Sequence, residues 1–275
     1  MEFNGVDFFF PLLGDYMIYF AIPLRAKETS DNWENVCYRL HSTIKSIKDA
    51  GGETAIYVAG HDKPLFLENN NDAVFLRVPF PAPVDKTGYM SDKESKKNVA
   101  RRYILKSAKP DDLFMFMDAD DVISKNFISD VISRFSKNPD IDDIALYSGF
   151  AFDSKRKKLA YLNGKNKVFY RNCGSCFISR IRSYDILEKD EKNTFLFSLK
   201  DHTKYPECSI RFGRSLLALF SPVVCYVVNH DSNDSNTRIG TDAICRFVDE
   251  FECRNEEQSK YFYGNYEASL LMSAK

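Results

Sequence analysis

Three carboxylates stand within four residues at Asp118-Ala119-Asp120-Asp121, directly after the apolar run Leu113-Phe114-Met115-Phe116-Met117. Such a run reads as a buried strand. A strand that ends in acids sets anionic oxygens at the edge of a sheet, where desolvation is costly unless something compensates. A hard divalent cation, Mg²⁺ or Mn²⁺, is the usual compensation, and it commonly bridges to a phosphate. Asp118 and Asp120, on either side of Ala119, can both reach one ion from a tight turn. The plainer alternative is an acidic turn ahead of a helix, favoured by the helix dipole. That accounts well for one acid and poorly for three at the end of a strand.

The surrounding pattern says what positions these acids. Tyr16–Ile22, Thr54–Ala59 and Ala73–Val78 read as three earlier strands. Pro23 ends the first, and a polar loop from Leu24 to Thr29 follows it. Ser30 or Asp31 is suited to cap the next helix, Asp31 with Glu34 making a capping box. A basic helix spans Lys93 to Leu105. Ser124 is expected to cap the helix after the acids, with the stripe Phe127, Ile128, Val131, Ile132 and Phe135. Alternating strands and helices from residue 16 to 137 imply an α/β fold, a mainly parallel central sheet with helices on both faces. Ligands then bind at the carboxyl ends of the strands, where Arg25, His61-Asp62 and the Asp118 cluster all fall. After residue 140 the rhythm changes. Ala145–Phe152 and Lys167–Ile178 read as strands, with a hairpin-like link at Asp153–Lys158, and a further strand runs from Val223 to Val228. The tail from Thr241 to Leu271 reads as helical. The organisation expected is one domain over 1–240 and a helical extension over 241–275 packed on it, its apolar stripe suited to that role or to a dimer interface.

Composition narrows the classes. The chain has 275 residues, 44% of them hydrophobic, with 23 Phe and 15 Tyr, enough for a substantial core. A formal net charge of −1 gives no basic field for nucleic acid. The seven cysteines are odd in number and several sit in apolar runs, which reads as reduced thiols in a cytosolic protein. The lone Cys173-Gly174-Ser175-Cys176 has no second pair to complete a zinc site. Phe8–Leu13 is apolar but flanked by Asp7 and Asp15, no run is long enough to span a bilayer, and packing of the N-terminal aromatics is favoured over peripheral membrane contact.

Phe116-Met117-Asp118-Ala119-Asp120-Asp121, in this order of elements, resembles the DxD motif of GT-A-fold glycosyltransferases, and more narrowly the family-2-like bacterial enzymes. The resemblance covers roughly residues 16 to 235. It implies a GT-A, Rossmann-like sheet, a nucleotide-sugar donor (a UDP-sugar by preference), a Mn²⁺ or Mg²⁺ cofactor and a saccharide or lipid-linked saccharide acceptor, at the cytoplasmic face of the membrane in surface-polysaccharide assembly. By the same resemblance Asp118 lies near the ribose and the metal, Asp120 is a direct ligand, and Asp121 assists or orients them. Pro23 and Arg25 hold the base or ribose, and His61 and Asp62 lie by the base. Lys96, Lys97 or Arg101 faces the phosphates, although a solvated helix face explains any one of these alone. His230 is implied as a late metal ligand, a nitrogen donor suiting Mn²⁺, with Asn233 and Ser235 toward the diphosphate. Gly174 and Ser175 match the glycine-containing strand of the sugar pocket.

An inverting transfer, slightly favoured here over a retaining one, needs a base for the acceptor hydroxyl. The family's Glu-Asp motif is replaced by Lys200-Asp201-His202. Asp201 aligns best, His202 is its substitute, and Asp185 and Glu207 stay open. Two other readings compete. One is a phosphohydrolase resembling the haloacid dehalogenase family, with Asp118 as nucleophile, although that motif follows the first strand of its fold. The other is a binding protein of the same fold without catalysis.

Overall fold

The computed structural model of the chain describes residues 16–187, 194–230 and 240–272; the N-terminal Phe8–Leu13 segment lies outside them. The apolar runs become strands because their side chains have no other dry place to go. β1 (Ile18–Pro23) is buried at all six positions. It lies parallel between β2 (Thr54–Gly60) and β4 (Leu113–Phe116), and β3 (Val74–Arg77) adds to β2. β6 (Asp143–Leu146), β9 (Phe177–Arg180) and β10 (Leu216–Leu219) complete a seven-stranded sheet in the order β10-β6-β9-β4-β1-β2-β3. Of these described strands only β9 runs against the others. With α1 (Trp33–Asp49), α2 (Tyr89–Leu105) and α3 (Phe127–Lys137) around it, this is the mainly parallel, helix-flanked GT-A arrangement that the sequence implies.

The helix starts differ from the sequence reading. α1 is capped by Asn32, whose extended backbone lets its side chain accept from the Asn35 N–H, rather than by Ser30 or Asp31. α3 begins after Asn126 and has no side-chain cap; the Ser124 carbonyl accepts from the Phe127 N–H instead.

Two strand expectations are corrected. The run 145–152 divides into β6 and β7 (Gly149–Asp153), which belong to different sheets. The chain crosses at Tyr147-Ser148, and just beyond it the Phe169 ring lies over Gly149, where a Cβ would stand 2.3 Å from the ring. The run 167–178 is a 3-10 turn at Phe169–Arg171 followed by a bend, and only its last two residues enter β9. The smaller sheet has the order β5-β11-β7-β8, with β5 (Val122–Ile123), β8 (Lys158–Leu162) and β11 (Val224–Val228). The Asp153–Lys158 link is the β7–β8 hairpin turn, where the Asp153 carboxylate accepts from the backbone and the guanidinium of Arg156.

Six further helices complete the described residues: α4 (Ser183–Leu187), α5 (Phe195–Ser198), α6 (Tyr205–Arg211) and, in the tail, α7 (Thr241–Glu250). α8 (Glu256–Asn265) and α9 (Ala268–Leu271) follow. The tail covers the smaller sheet. Phe262 packs edge-on to Phe150 at 4.9 Å and stacks on Tyr266 at 4.8 Å, while Ile244 and Val248 pack on Ala151 and Ala160. α9 also touches α1, where the Tyr38 hydroxyl donates to the Ser269 carbonyl. Phe262 is fully buried, so Phe262→Ala is expected to destabilise the chain by about 3–5 kcal/mol, read as a shifted urea midpoint.

Candidate active site

The carboxyl ends of β1 and β4, the inner face of α2, the loop before β9 and the end of β11 surround a cleft of about 420 Å³. Its lining includes Pro23, Arg25, Lys97, Asp118, Asp120, Gly174, Asp201, His202 and His230. Residues spread over two hundred positions thus meet in one place.

The acidic turn is fixed from several sides. The Asp118 N–H donates to Ser175 Oγ at 2.8 Å, and that hydroxyl donates to Asp121 Oδ2 at 2.6 Å. Asp121 is fully buried and also accepts from Cys173 Sγ (3.2 Å) and the Val227 N–H (3.3 Å), while Thr43 of α1 donates to its carbonyl. Burial, then the nearby charges of Asp120 and Asp118, raise its carboxyl well above the usual range. Asp121 is therefore a structural clamp that does not line the cleft. Ser175 is likewise buried, as the link between Asp118 and Asp121.

Asp118 forms an ion pair with Lys93, Oδ1 to Nζ 2.7 Å. Burial works to raise its carboxyl, but Lys93 and Lys97 outweigh burial and hold it below the ordinary value. Its other oxygen rests on Gly174: a Cβ there would stand 2.6 Å from Oδ2, so a side chain is excluded by close approach. Asp120 instead meets His230, Oδ2 to Nε2 3.0 Å. His230 reaches it because Asn229 takes a left-handed φ of 58° after β11, and because Asn35 of α1 donates to the His230 carbonyl.

This arrangement fits a divalent cation in part. The Asp120–His230 separation is that of a hydrogen bond, and it is also the roughly 3 Å between adjacent ligands of an octahedral ion with bonds near 2.1 Å. Among the described residues no three His, Cys, Asp or Glu side chains are grouped to hold an ion. Asp118, expected as a further ligand, is turned to Lys93 instead.

α2 presents a cationic inner face at helical spacing. Lys97 is buried, with Nζ 3.2 Å from the Tyr205 hydroxyl and 4.9 Å from the Phe116 ring centre. Burial, helped by Lys93, lowers its ammonium to about 8. Lys96 pairs with Asp92 at 2.5 Å. Arg101 does not reach the cleft; its guanidinium lies 3.7 Å from the Phe197 ring centre and donates to the Leu196 carbonyl. His61 stands behind the wall, bonded to Asp92 at 2.9 Å. Asp62 accepts from the Lys27 N–H and braces the loop after β1. Arg25 lies over the Tyr89 ring at 5.4 Å. Asn233 and Ser235 lie outside the described residues. Asp185 is away from the cleft, at the start of α4, where burial raises its carboxyl to about 6.

Sequence reasoning missed Lys93, Tyr89 and Arg39. Lys93 and Tyr89 share the face of Lys97 at i, i+4 and i+8, a periodic signal within the basic helix. Arg39, buried in α1 with Nη1 3.2 Å from the Leu271 carbonyl, carries no signal in the sequence; burial lowers its guanidinium to about 10 despite Asp120.

Residues 87–223 match the family model described as Glycosyl transferase family 2. No curated protein matches the sequence. Among solved structures, S. aureus TarS 1-349 is similar with a TM-score of 0.46 and 14% identity, over 77% of this chain and 60% of that one. The bifunctional IspDF from Campylobacter jejuni is similar with a TM-score of 0.42 and 11% identity, over 79% of this chain and 51% of that one.

Asp121→Ala would leave three buried donors without an acceptor. It is expected to destabilise the chain by on the order of 3 kcal/mol, more than Asp120→Ala at the cleft wall, when the two are compared by denaturant unfolding.

Proposed function

We propose that this chain, which over residues 87–223 belongs to glycosyl transferase family 2, moves a sugar from a nucleoside-diphosphate sugar to a hydroxyl acceptor with the help of a divalent cation. The observation that carries this reading is the Asp120–His230 pair at 3.0 Å, in a cleft that Arg25, Lys93 and Lys97 also line. Asp120 and His230 would hold Mn²⁺ or Mg²⁺, and the cation, when bound, supplies positive charge for the diphosphate leaving group. Pro23, Arg25 and Tyr89 offer a turn of backbone, a cation and an aromatic face for the nucleoside, a uridine by preference. Lys93 and Lys97 add charge for the phosphates. Gly174 lets the donor sugar approach the backbone beside Asp118. Asp201 and His202 form the opposite wall, where a saccharide or lipid-linked saccharide would enter. Assembly of surface polysaccharide at the inner face of a membrane suits such a pair of substrates. No helix among the described residues is long and apolar enough to cross a membrane.

The test is donor turnover against a panel of nucleotide sugars with EDTA, Mg²⁺ or Mn²⁺. Turnover is expected only with a divalent cation, and Asp120→Ala is expected to lower kcat/KM by about 100-fold or more and to weaken Mn²⁺ binding read by calorimetry. Equal turnover in EDTA, or an unimpaired Asp120→Ala enzyme, would refute the metal-assisted reading.

A further inference from the structure

The acceptor wall presents two side chains able to take a proton, and the structure separates their roles. Asp201, which aligns best with the family's acidic position and also lines the cleft, commits one carboxylate oxygen locally. Oδ1 accepts from the Thr203 N–H at 3.0 Å and from the Thr203 hydroxyl at 2.8 Å, so Asp201 caps the 3-10 turn His202–Lys204. Burial raises this carboxyl, but the Thr203 donors outweigh burial and hold it below its ordinary value. An acid so held is a weak base.

His202 is held differently, by the ring nitrogen away from its lone pair. Its Nδ1 stands 2.7 Å from the Tyr170 carbonyl oxygen. A carbonyl only accepts, so Nδ1 carries the hydrogen, and in the neutral ring the lone pair lies on Nε2. Nε2 makes no hydrogen bond to the described residues, and the ring lines the cleft. Tyr170 is itself fixed, buried in the 3-10 turn Phe169–Arg171 with its ring 5.3 Å from that of Tyr147. The charged groups around His202 are Asp118 at the end of β4, Lys93 and Lys97 of α2, and its own neighbours Asp201 and Lys204. Burial lowers the imidazole below its ordinary 6.5, Lys93 and Lys97 act the same way, and the Tyr170 carbonyl and Asp118 oppose them.

We propose that His202 Nε2 is the proton acceptor of the transfer and that Asp201 is a positioning residue that shapes the turn presenting it. The inference rests on the glycosyltransferase reading and names the base within it. As the acceptor oxygen bonds to the anomeric carbon, the bond from that carbon to the diphosphate oxygen breaks. The nucleoside diphosphate leaves with the electron pair, and the acceptor's hydroxyl proton passes to Nε2, from which it is later lost to water. A single displacement of this kind inverts the anomeric configuration.

Two measurements on the full chain test the assignment. The first needs no substrate. In a ¹⁵N-histidine spectrum, the resonance lost in His202→Gln is expected to show a neutral ring protonated on Nδ1 at neutral pH. An Nε2–H or doubly protonated ring overturns the proposal. The second is kinetic. His202→Gln is expected to lower kcat by about 100-fold or more with UDP affinity in Mn²⁺ unchanged, and to remove the acid limb of the wild-type kcat/KM profile, which falls as pH drops through the lowered imidazole value. Asp201→Asn, which keeps an oxygen for Thr203, is expected to stay within about tenfold of wild type and to retain that limb. A larger loss in Asp201→Asn than in His202→Gln, or a product of retained configuration, overturns the proposal. An Nδ1–H ring in a wild-type chain that neither binds UDP nor turns over any nucleotide sugar overturns the transferase reading, and the base role with it.

Discussion

The carboxylate of Asp121 is the point on which the site depends. A buried carboxylate is costly unless its oxygens are satisfied, and here the satisfaction comes from distant parts of the chain. Cys173 and Ser175 approach from the loop before β9, and Val227 approaches from β11. Asp121 also sits immediately before β5, the short strand that pairs with β11. β4 lies in the larger sheet and β11 in the smaller one, so the acidic turn is the strap between them. The same carboxyl group holds Ser175, which accepts from the Asp118 N–H beside Gly174, and the Val227 N–H of the strand that leads to His230.

Three like charges within four residues repel one another, and the fold answers each differently. Asp121 is withdrawn from water, and its carboxyl is raised by burial and by its two neighbours. Asp118 is paired with Lys93 and lowered. Asp120 faces the imidazole of His230. Asp118 and Asp120 both line the cleft, the first held by Lys93 and the second by His230.

Much of this was legible in the residues. The apolar runs between residues 16 and 137 marked the sheet, and the strand-end position of Arg25, Asp118 and Asp120 marked the edge that holds the cleft. What was not legible depended on side chains meeting across the fold. The run 145–152 looks like one strand because apolar residues stand on both sides of Ser148-Gly149; that Gly149 lies against the Phe169 ring is a contact no local pattern encodes. Lys93, Lys96, Lys97 and Arg101 look alike along α2, yet one pairs with Asp118, one with Asp92, one lies against Tyr205 and one is buried against Phe197. Asp201 and His202 are adjacent in sequence, and only the Tyr170 carbonyl and the Thr203 donors distinguish them.

The reversed direction of β9 explains how the two halves of the cleft come together. β9 pairs antiparallel with β4, Ile178 opposite Met115 and Arg180 opposite Leu113. Its amino-terminal end therefore lies beside the carboxyl-terminal end of β4, and the residues just before it, Cys173 to Cys176, fall against the acids. A parallel β9 would carry that loop to the other edge of the sheet, about 13 Å away across four residues of strand. Gly174 would then leave Asp118, and the Cys173 and Ser175 donors would leave Asp121. The preceding turn at Phe169–Arg171 would go with them, and with it the Tyr170 carbonyl that orients His202. One reversed strand in an otherwise parallel sheet thus places Gly174, the clamp on the acidic turn and the Tyr170 carbonyl beside His202 on the same edge as Pro23 of β1.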